Sequence, residues 1–314
     1  MSFRFTPPKR VRPEGLRYLR SNGKPNFSSR IYEKPGELSI IIKRPVVTIT
    51  HIKPIGEAVK TMTYKGFRRL PVTTPTGTLK GIITATDIVN YFGGGEYFNI
   101  ILNRHGGNIY KALNEPVKSI MNKNPIYVTI ADDLAYVIEL MVKYGVGAVP
   151  IVEEETLKIQ GIVTERDIVN YLREKTIGLK VSELMTKNVI TISQDSSIRE
   201  AAKTIIKMGF RRLPIVDDQR YVKGMITARS IVRFFGTNKV FEYVISGNIE
   251  EALSAPVTAA SISKIVTVKP HIDVGEAVNK MIQHNVGSVL VTENNKLMGI
   301  LTERDVMYAL ALKR

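Results

Sequence analysis

Residues 161–167, Gly-Ile-Val-Thr-Glu-Arg-Asp, carry the pattern that decides our prediction of the fold. A glycine is followed by two apolar residues and a threonine, and an aspartate stands three positions after the threonine. The pattern returns at residues 81–87 and 299–305, and at 224–230 with serine in place of the aspartate. A pattern that occurs four times indicates an internal repeat, which has to be recognised before single helices and strands are assigned.

Longer stretches show that the whole chain is duplicated. The sequence Gly-Phe-Arg-Arg-Leu-Pro occurs at residues 66–71 and 209–214, and Thr-Glu-Arg-Asp occurs at 164–167 and 302–305. The spacing of the duplication is about 140 residues, and a shorter repeat of about 60 residues lies inside each half. Copies one and three share the Arg-Arg strand, whereas copies two and four have small residues there. The order is therefore A, B, A′, B′.

Each copy predicts a strand, a helix, two strands and a second helix. In copy two, residues 126–130 alternate and are partly β-branched, as in a short strand. Asp132 or Asp133 then offers an N-cap, and Gly145 or Gly147 offers a stop for the helix between them. One such unit cannot bury both faces of a three-stranded sheet, so we expect the copies to pack in pairs.

The repeated pattern resembles the cystathionine-β-synthase (CBS) domain, and the resemblance covers residues 37–314. Four copies in two pairs are similar to archaeal four-CBS proteins and to the γ subunit of AMP-activated protein kinase. The resemblance implies an α/β (α+β) fold of four βαββα repeats in two pseudo-symmetric pairs, or Bateman modules, with an extended N-terminal arm. The expected bounds are 1–36 for the arm, 37–176 for the first pair and 177–314 for the second.

The motif predicts a nucleotide site. An aspartate on the first turn of a helix can accept both hydroxyls of a ribose, while a threonine at the helix N-terminus lies where backbone N–H groups favour phosphate. Guanidinium groups in the motif and on the facing strand suit phosphate oxygens. The predicted residues are Arg69, Thr84, Asp87, Thr164, Arg166, Asp167, Arg212, Thr227, Ser230, Thr302, Arg304 and Asp305.

The resemblance adds the position of the base. It implies that adenine lies between apolar strands and that a threonine at the end of each first strand touches the ligand. The matching positions are Thr48, Thr129, Thr191 and Thr267. The expected ligand is AMP, ADP or ATP, and S-adenosylmethionine is a further possibility. No cofactor is expected.

The residues assigned to the ligand could instead have purely structural roles. The threonine and aspartate of each motif are also common helix caps, and paired arginines can simply keep an edge strand soluble. Ser230 is shorter than aspartate and uncharged, so we expect at most three competent ribose positions. No catalytic motif and no metal-ligand spacing among the histidines is found, and we expect that the chain is not an enzyme.

Charge distinguishes the N-terminal arm. The net charge is +16, and residues 1–34 hold nine basic and two acidic residues, a net charge of +7. Aromatic residues are interleaved with the bases, and such aromatics stack on nucleotide bases while Arg and Lys contact phosphates. The predicted RNA-binding residues are Arg4, Lys9, Arg10, Arg12, Arg17, Arg20, Lys24 and Arg30. The alternative is a solvated tail or an arm that folds back on the CBS repeats.

The amino-acid composition excludes cysteine chemistry and limits the expected cellular location. Because the chain has no cysteine, disulfides and thiolate metal sites are excluded. Neither a signal peptide nor an apolar run of membrane-spanning length is found, so we expect a cytoplasmic location and no membrane partner.

Two functions follow as hypotheses. The first is an adenine-nucleotide-binding regulatory protein that binds ribosomal RNA or a ribosomal subunit through its arm, and that acts in ribosome hibernation or subunit dimerisation when energy is low. The second is an AMP- or ATP-sensing regulatory subunit of another enzyme or kinase. A DNA-associated regulator has less support, since no helix-turn-helix pattern occurs. Monomer and homodimer both remain open.

Overall fold

The computed structural model describes residues 37–172 and 178–311, which form two compact units. Unit 1 contains residues 47–125 and 190–264. Unit 2 contains the described parts of residues 37–46, 126–189 and 265–311. Repeats 1 and 3 therefore share unit 1, and repeats 2 and 4 share unit 2.

Unit 1 has two βαββα repeats, each followed by a helical insert. Repeat 1 comprises β1 (Ile49–Thr50), α2 (Ile55–Lys65), β2 (Arg69–Thr73), β3 (Leu79–Thr84) and α3 (Ala85–Val89). A π-helical turn (Asn90–Gly94), α4 (Phe98–His105), α5 (Ile109–Leu113) and a 3-10 turn (Val117–Ser119) follow it. Repeat 3 comprises α9 (Ile198–Met208), β7 (Arg212–Val216), β8 (Val222–Thr227) and α10 (Ala228–Gly236). A 3-10 turn (Asn238–Glu242), α11 (Ile249–Ser254) and α12 (Val257–Ala260) complete the unit.

Unit 2 has the other two repeats and two short helices that precede repeats in the sequence, α1 (Glu37–Ile41) and α8 (Val181–Leu184). Repeat 2 comprises β4 (Val128–Thr129), α6 (Leu134–Tyr144), β5 (Ala148–Val152), β6 (Ile159–Thr164) and α7 (Glu165–Leu172). Repeat 4 comprises β9 (Thr267–Val268), α13 (Val274–Gln283), β10 (Ser288–Glu293), β11 (Lys296–Thr302) and α14 (Glu303–Ala311). The predicted order of elements is confirmed in repeats 1, 2 and 4, whereas the first strand of repeat 3 is reduced to a single bridge.

Local sequence explains where the helices begin and end. The carboxylate of Asp133 accepts a hydrogen bond of 2.6 Å from the backbone N–H of Tyr136, which makes Asp133 the N-cap of α6. Gly145 ends that helix with a φ of 67°, a left-handed conformation that costs glycine little. Gly66 and Gly209 end α2 and α9 in the same way. Of the alternatives that the sequence left open, Asp133 and Gly145 are the residues used.

The sheets share one plan. The first strand runs parallel to the second, and the second runs antiparallel to the third. In repeat 3 the first strand is a single bridge between Ile192 and Ile215. Each third strand ends at the motif threonine, so the start of the last helix is fixed by the sheet.

Four leading segments precede the repeats in the sequence, and we define them as residues 37–46, 117–125, 181–189 and 257–264. The segment before repeat 1 pairs with β6 of repeat 2, through a bridge between Lys43 and Ile162. The segment before repeat 2 pairs with β3 of repeat 1, through Asn122 and Ile82. Repeats 3 and 4 exchange their leading segments in the same way. Each leading segment therefore lies in the same unit as the repeat with which it pairs, and not in the unit of the repeat that follows it in the chain.

Helices provide the packing inside each unit. In unit 1, α2 packs on α10, and the rings of Phe92 and Phe235 stack with centroids 4.2 Å apart. The approach is close: an added Cβ at Gly236 would lie 2.2 Å from Oγ1 of Thr63. Burial of one such aromatic side chain stabilises the fold by about 1.5–3 kcal/mol. In unit 2, α7 packs on α14 over a core that includes Val163 and Leu301.

The two compact units each combine alternate repeats, with repeats 1 and 3 in unit 1 and repeats 2 and 4 in unit 2. Helix packing joins alternate repeats within each unit, through α2 and α10 in unit 1 and through α7 and α14 in unit 2. The sequence pattern A, B, A′, B′ shows which copies are alike, but it does not show which copies are in contact. The bounds 37–176 and 177–314 stay a prediction.

Candidate functional site

The motif threonine and aspartate are bonded to each other in three repeats. In repeat 1, the backbone N–H and the hydroxyl of Thr84 donate to Oδ2 of Asp87 at 2.8 and 2.7 Å. The same atoms give 3.0 and 2.7 Å in repeat 2 and 2.9 and 2.7 Å in repeat 4. In repeat 1 the threonine is the N-cap of α3 and the aspartate completes a capping box with it; the ribose contact of the aspartates stays a prediction. A carboxylate has two oxygens, and the cap uses only Oδ2.

In repeat 3 the motif serine forms its hydrogen bonds with the backbone of the motif threonine. Oγ of Ser230 accepts a hydrogen bond from the backbone N–H of Thr227 at 2.9 Å and donates one to its carbonyl oxygen at 3.0 Å. Ser230 is buried. Its single hydroxyl donor is thus used within the cap, whereas an aspartate would keep a second oxygen. The expectation that repeat 3 lacks a ribose acceptor stays a prediction.

The aspartates of repeats 1 and 2 have different surroundings. Burial raises the pKa of Asp87 to about 6 from an ordinary 3.8, against the lowering effect of its hydrogen bonds from Thr84. In repeat 2, Nζ of Lys43 lies 3.8 Å from Oδ1 of Asp167. Lys43 comes from the leading segment 37–46 and not from repeat 2 itself.

Arg166 and Arg304 lie in ion pairs between α7 and α14. Nε of Arg304 donates to Oε1 of Glu165 at 2.6 Å, and Nε of Arg166 donates to Oε1 of Glu303 at 2.5 Å. The guanidinium of Arg304 also donates to the carbonyl oxygen of Gly145 at 2.9 Å. Burial opposes its charge, but the Glu165 carboxylate outweighs this and raises the pKa of Arg304. The two arginines thus hold two repeats together, and their predicted phosphate contact stays a prediction.

Arg69 and Arg212 lie directly across the sheet from the motif. The strand register pairs Arg69 with Thr84 and Arg212 with Thr227. Side chains at paired positions of antiparallel strands share one face of the sheet. Of the predicted arginines, these two therefore lie on the same sheet face as the motif threonine.

Arg229 is an arginine that the sequence analysis omitted. It occupies the same motif position in repeat 3 as Arg166 and Arg304 occupy in theirs. Its Nη2 lies next to Gly66, the glycine that corresponds to Gly145, and would be 2.8 Å from a Cβ placed there. An alignment of all seven motif positions, rather than of the threonine and aspartate alone, would have identified it.

The four first-strand threonines are not at one position. Val128 pairs with Ile151, just as Ile49 pairs with Val72, so Thr129 corresponds to Thr50. Thr48, Thr191 and Thr267 share an earlier position, one residue before the paired apolar residue of their strands. Alternation of the side chains leaves both positions on the same face. Moreover, the hydroxyl of Thr129 donates to Asp132 at 3.0 Å.

A buried polar cluster in the insert of repeat 1 was also not predicted from the sequence. Glu115 accepts hydrogen bonds from Nη1 of Arg104 at 3.0 Å and from the hydroxyl of Ser119 at 2.5 Å. Nε2 of His105 lies 2.8 Å from the second carboxylate oxygen. Full pairing of this buried carboxylate anchors the insert to the segment that follows it.

The remaining predictions concern the RNA-binding residues, metal ions and membranes. All eight predicted RNA-binding residues, from Arg4 to Arg30, lie outside the described residues. Within residues 37–172 and 178–311, no cluster of three or more His, Asp or Glu side chains is arranged to hold a metal ion. None of the helices described above is long and apolar enough to cross a membrane.

Comparison with known proteins identifies the repeat. The CBS domain family matches residues 37–94, 117–174, 181–236 and 257–312, and each match begins with a leading segment. The chain belongs to the CBS domain family. The four CBS domains form two tandem pairs, as the resemblance implied.

Two archaeal relatives match most of this CBS protein. A 33.4 kDa protein in ribosomal RNA operon of Thermofilum pendens is 31% identical over 263 residues, 84% of this chain and 87% of that protein. Protein MJ1225 of Methanocaldococcus jannaschii is 32% identical over 273 residues, 86% and 97% of the two chains. The crystal structure of MJ1225, described as that of a proposed archaeal homologue of g-AMPK, superposes with a TM-score of 0.81 at 30% identity, covering 86% of this chain and 98% of that one.

Proposed function

We propose that this CBS protein is a non-catalytic, cytoplasmic regulatory protein that binds adenine nucleotides at repeats 1, 2 and 4. The observation that carries the proposal is the motif aspartate of these repeats, whose hydrogen bonds from the motif threonine go to Oδ2, so that we expect the ribose hydroxyls on the Oδ1 side. The helix N-terminus beside it favours a phosphate. The description of the MJ1225 structure in relation to g-AMPK supports an adenine nucleotide as the ligand.

Calorimetric titration of the chain with AMP, ADP, ATP and S-adenosylmethionine tests this proposal. We expect adenine nucleotides to bind with a stoichiometry of at most three, and GMP to serve as the control for base selectivity. Absence of saturable binding by every adenine ligand would remove the proposal.

A second part of the proposal concerns the basic arm. Residues 1–34 carry a net charge of +7, and polyanions attract such a segment through counterion release. The name of the Thermofilum pendens relative places it in a ribosomal RNA operon. These observations favour ribosomal RNA or a ribosomal subunit as the partner, and translational dormancy as the process that the nucleotide state controls.

The competing function is that of a regulatory subunit for a separate enzyme or kinase, which the likeness to MJ1225 favours. Gradient sedimentation of cell lysate separates the two functions. A ribosome-associated protein sediments with a ribosomal subunit at low salt and leaves it at high salt. A subunit of an enzyme complex, or a homodimer alone, sediments with smaller particles at either salt concentration.

A further inference from the structure

The leading segments bring a different side chain to each motif. Each segment forms two backbone hydrogen bonds with the residue after the motif glycine, at 2.8–3.3 Å. The residues at this bridging position are Lys43 in repeat 2, Asn122 in repeat 1, Thr186 in repeat 4 and Ile262 in repeat 3. Four equivalent backbone contacts thus present a cation, an amide, a hydroxyl and an apolar side chain.

Lys43 lies near Oδ1 of Asp167, the carboxylate oxygen that accepts neither hydrogen bond from Thr164. Oδ2 of Asp167 accepts both hydrogen bonds from Thr164, whereas Nζ of Lys43 lies 3.8 Å from Oδ1. The Asp167 side chain is 8% exposed and that of Lys43 is 67% exposed. A solvent-exposed ammonium group therefore lies next to a buried carboxylate.

The backbone that carries Lys43 is held firmly. Its N–H and C=O bond to Ile162 at 3.0 and 3.3 Å, and Leu38 and Ile41 just before it are buried in the core of unit 2. Ile42 lies over Gly161 so closely that an added Cβ there would be 2.0 Å from its Cδ1. These contacts fix the backbone position from which the Lys43 side chain extends.

We propose that Lys43 determines the sugar specificity of repeat 2, which rests on the proposed function. A ribose hydroxyl that donates to Oδ1 of Asp167 can accept from Nζ of Lys43, so both its proton and its oxygen are recognised. We assign this place to the 2′-hydroxyl, so a 2′-deoxyribose, which keeps only its 3′-hydroxyl, lacks the group that contacts both Asp167 and Lys43. Asn122 and Thr186 are uncharged, so repeats 1 and 4 discriminate less, since hydrogen bonds to charged groups are the stronger ones.

The test isolates repeat 2 in the full chain, with Asp87→Ala and Asp305→Ala removing the other acceptors. Affinities for AMP and 2′-deoxy-AMP are measured by calorimetry. We expect AMP to bind at least tenfold more tightly, and Lys43→Met to reduce this ratio at least fivefold. Lys43→Arg keeps the charge and should keep most of the ratio. Lys280→Met, which removes a half-buried lysine that is paired with Glu276 of α13, is the matched control and should leave the ratio unchanged.

An unaltered AMP to 2′-deoxy-AMP ratio in Lys43→Met would overturn the assignment while leaving nucleotide binding intact. A reduced ratio in Lys280→Met as well would also overturn it, because the effect would then be general. If Asp167→Ala in the same background binds AMP as tightly as its parent, the proposed site itself is wrong. Thermal unfolding of each variant shows that the fold is retained.

Discussion

Glu165 and Arg304 form a buried ion pair between α7 and α14, with Nε of the arginine 2.6 Å from Oε1 of the glutamate. A second pair, Glu303 with Arg166, relates the same two helices in the opposite sense. In repeats 1 and 3 the corresponding glutamate positions are Ala85 and Ala228, and the helix contact in that unit is apolar. Like repeats thus associate through two different kinds of contact.

The two ion pairs should differ in their effect on stability. Glu165→Ala leaves the buried Arg304 without its carboxylate, and we expect a loss of about 3–5 kcal/mol in the free energy of unfolding. Glu303→Ala removes the carboxylate partner of Arg166, whose side chain is more exposed than that of Arg304 and also donates to Asn285, so we expect a smaller loss. Denaturant unfolding measures both. Equal losses for the two variants would show that burial of Arg304 is not what matters.

Asp87 should make stability depend on pH. Its pKa rises from 3.8 to about 6 on folding, so the folded state binds the extra proton between these values. The stabilising effect of protonation is complete below pH 3.8 and is lost as the pH rises through 6, with a magnitude of about 1–3 kcal/mol. Asp87→Asn keeps an acceptor for Thr84 and should remove this dependence, whereas Asp305→Asn should not. Thermal unfolding of each variant at pH 4.5 and 7.5 measures the pH dependence of stability. An identical pH dependence in Asp87→Asn and the parent would show that Asp87 is not its cause.

Repeat 3 should contribute no nucleotide site. We expect Ser230→Ala to leave the stoichiometry of AMP binding unchanged, because the serine hydroxyl is used within the helix cap. Asp305→Ala should weaken its site by about 1–3 kcal/mol. Calorimetry on both variants makes the comparison, and a loss of binding in Ser230→Ala would assign a ligand to repeat 3.

The arm should account for the salt dependence of RNA binding. Deletion of residues 1–36 should abolish association with single-stranded RNA and ribosomal subunits while AMP affinity stays the same. For the full chain, log K should fall with log salt concentration by about 0.7 per phosphate contacted. Co-sedimentation of the truncated chain with ribosomal subunits, at the level of the full chain, would show that the arm is not the binding segment.

The sequence predicted the elements well because their signals are local. Alternating strands, the Asp133 cap and the Gly145 stop all lie within a few residues of the structure they specify. The aspartate cap was predictable for the same reason, since Thr164 and Asp167 are three residues apart.

Features that depend on distant residues were not predicted. Arg304 and Glu165 are 139 residues apart, and no periodicity within one repeat indicates that they meet. Exchange of the leading segments is equally hidden, because Lys43 precedes repeat 1 in the chain and contacts repeat 2. The register of the short first strands was uncertain as well: two-residue strands have too few side chains to fix an alignment, which is why Thr129 was grouped with Thr48.

A crystal structure of the chain grown with AMP tests the central claim most directly. The account predicts ribose hydroxyls within hydrogen-bond distance of Oδ1 of Asp167 and of Asp305, with the phosphate toward the N-termini of α7 and α14. AMP bound away from these aspartates, or both carboxylates bonded only to their own helix caps in the presence of saturating AMP, would contradict it.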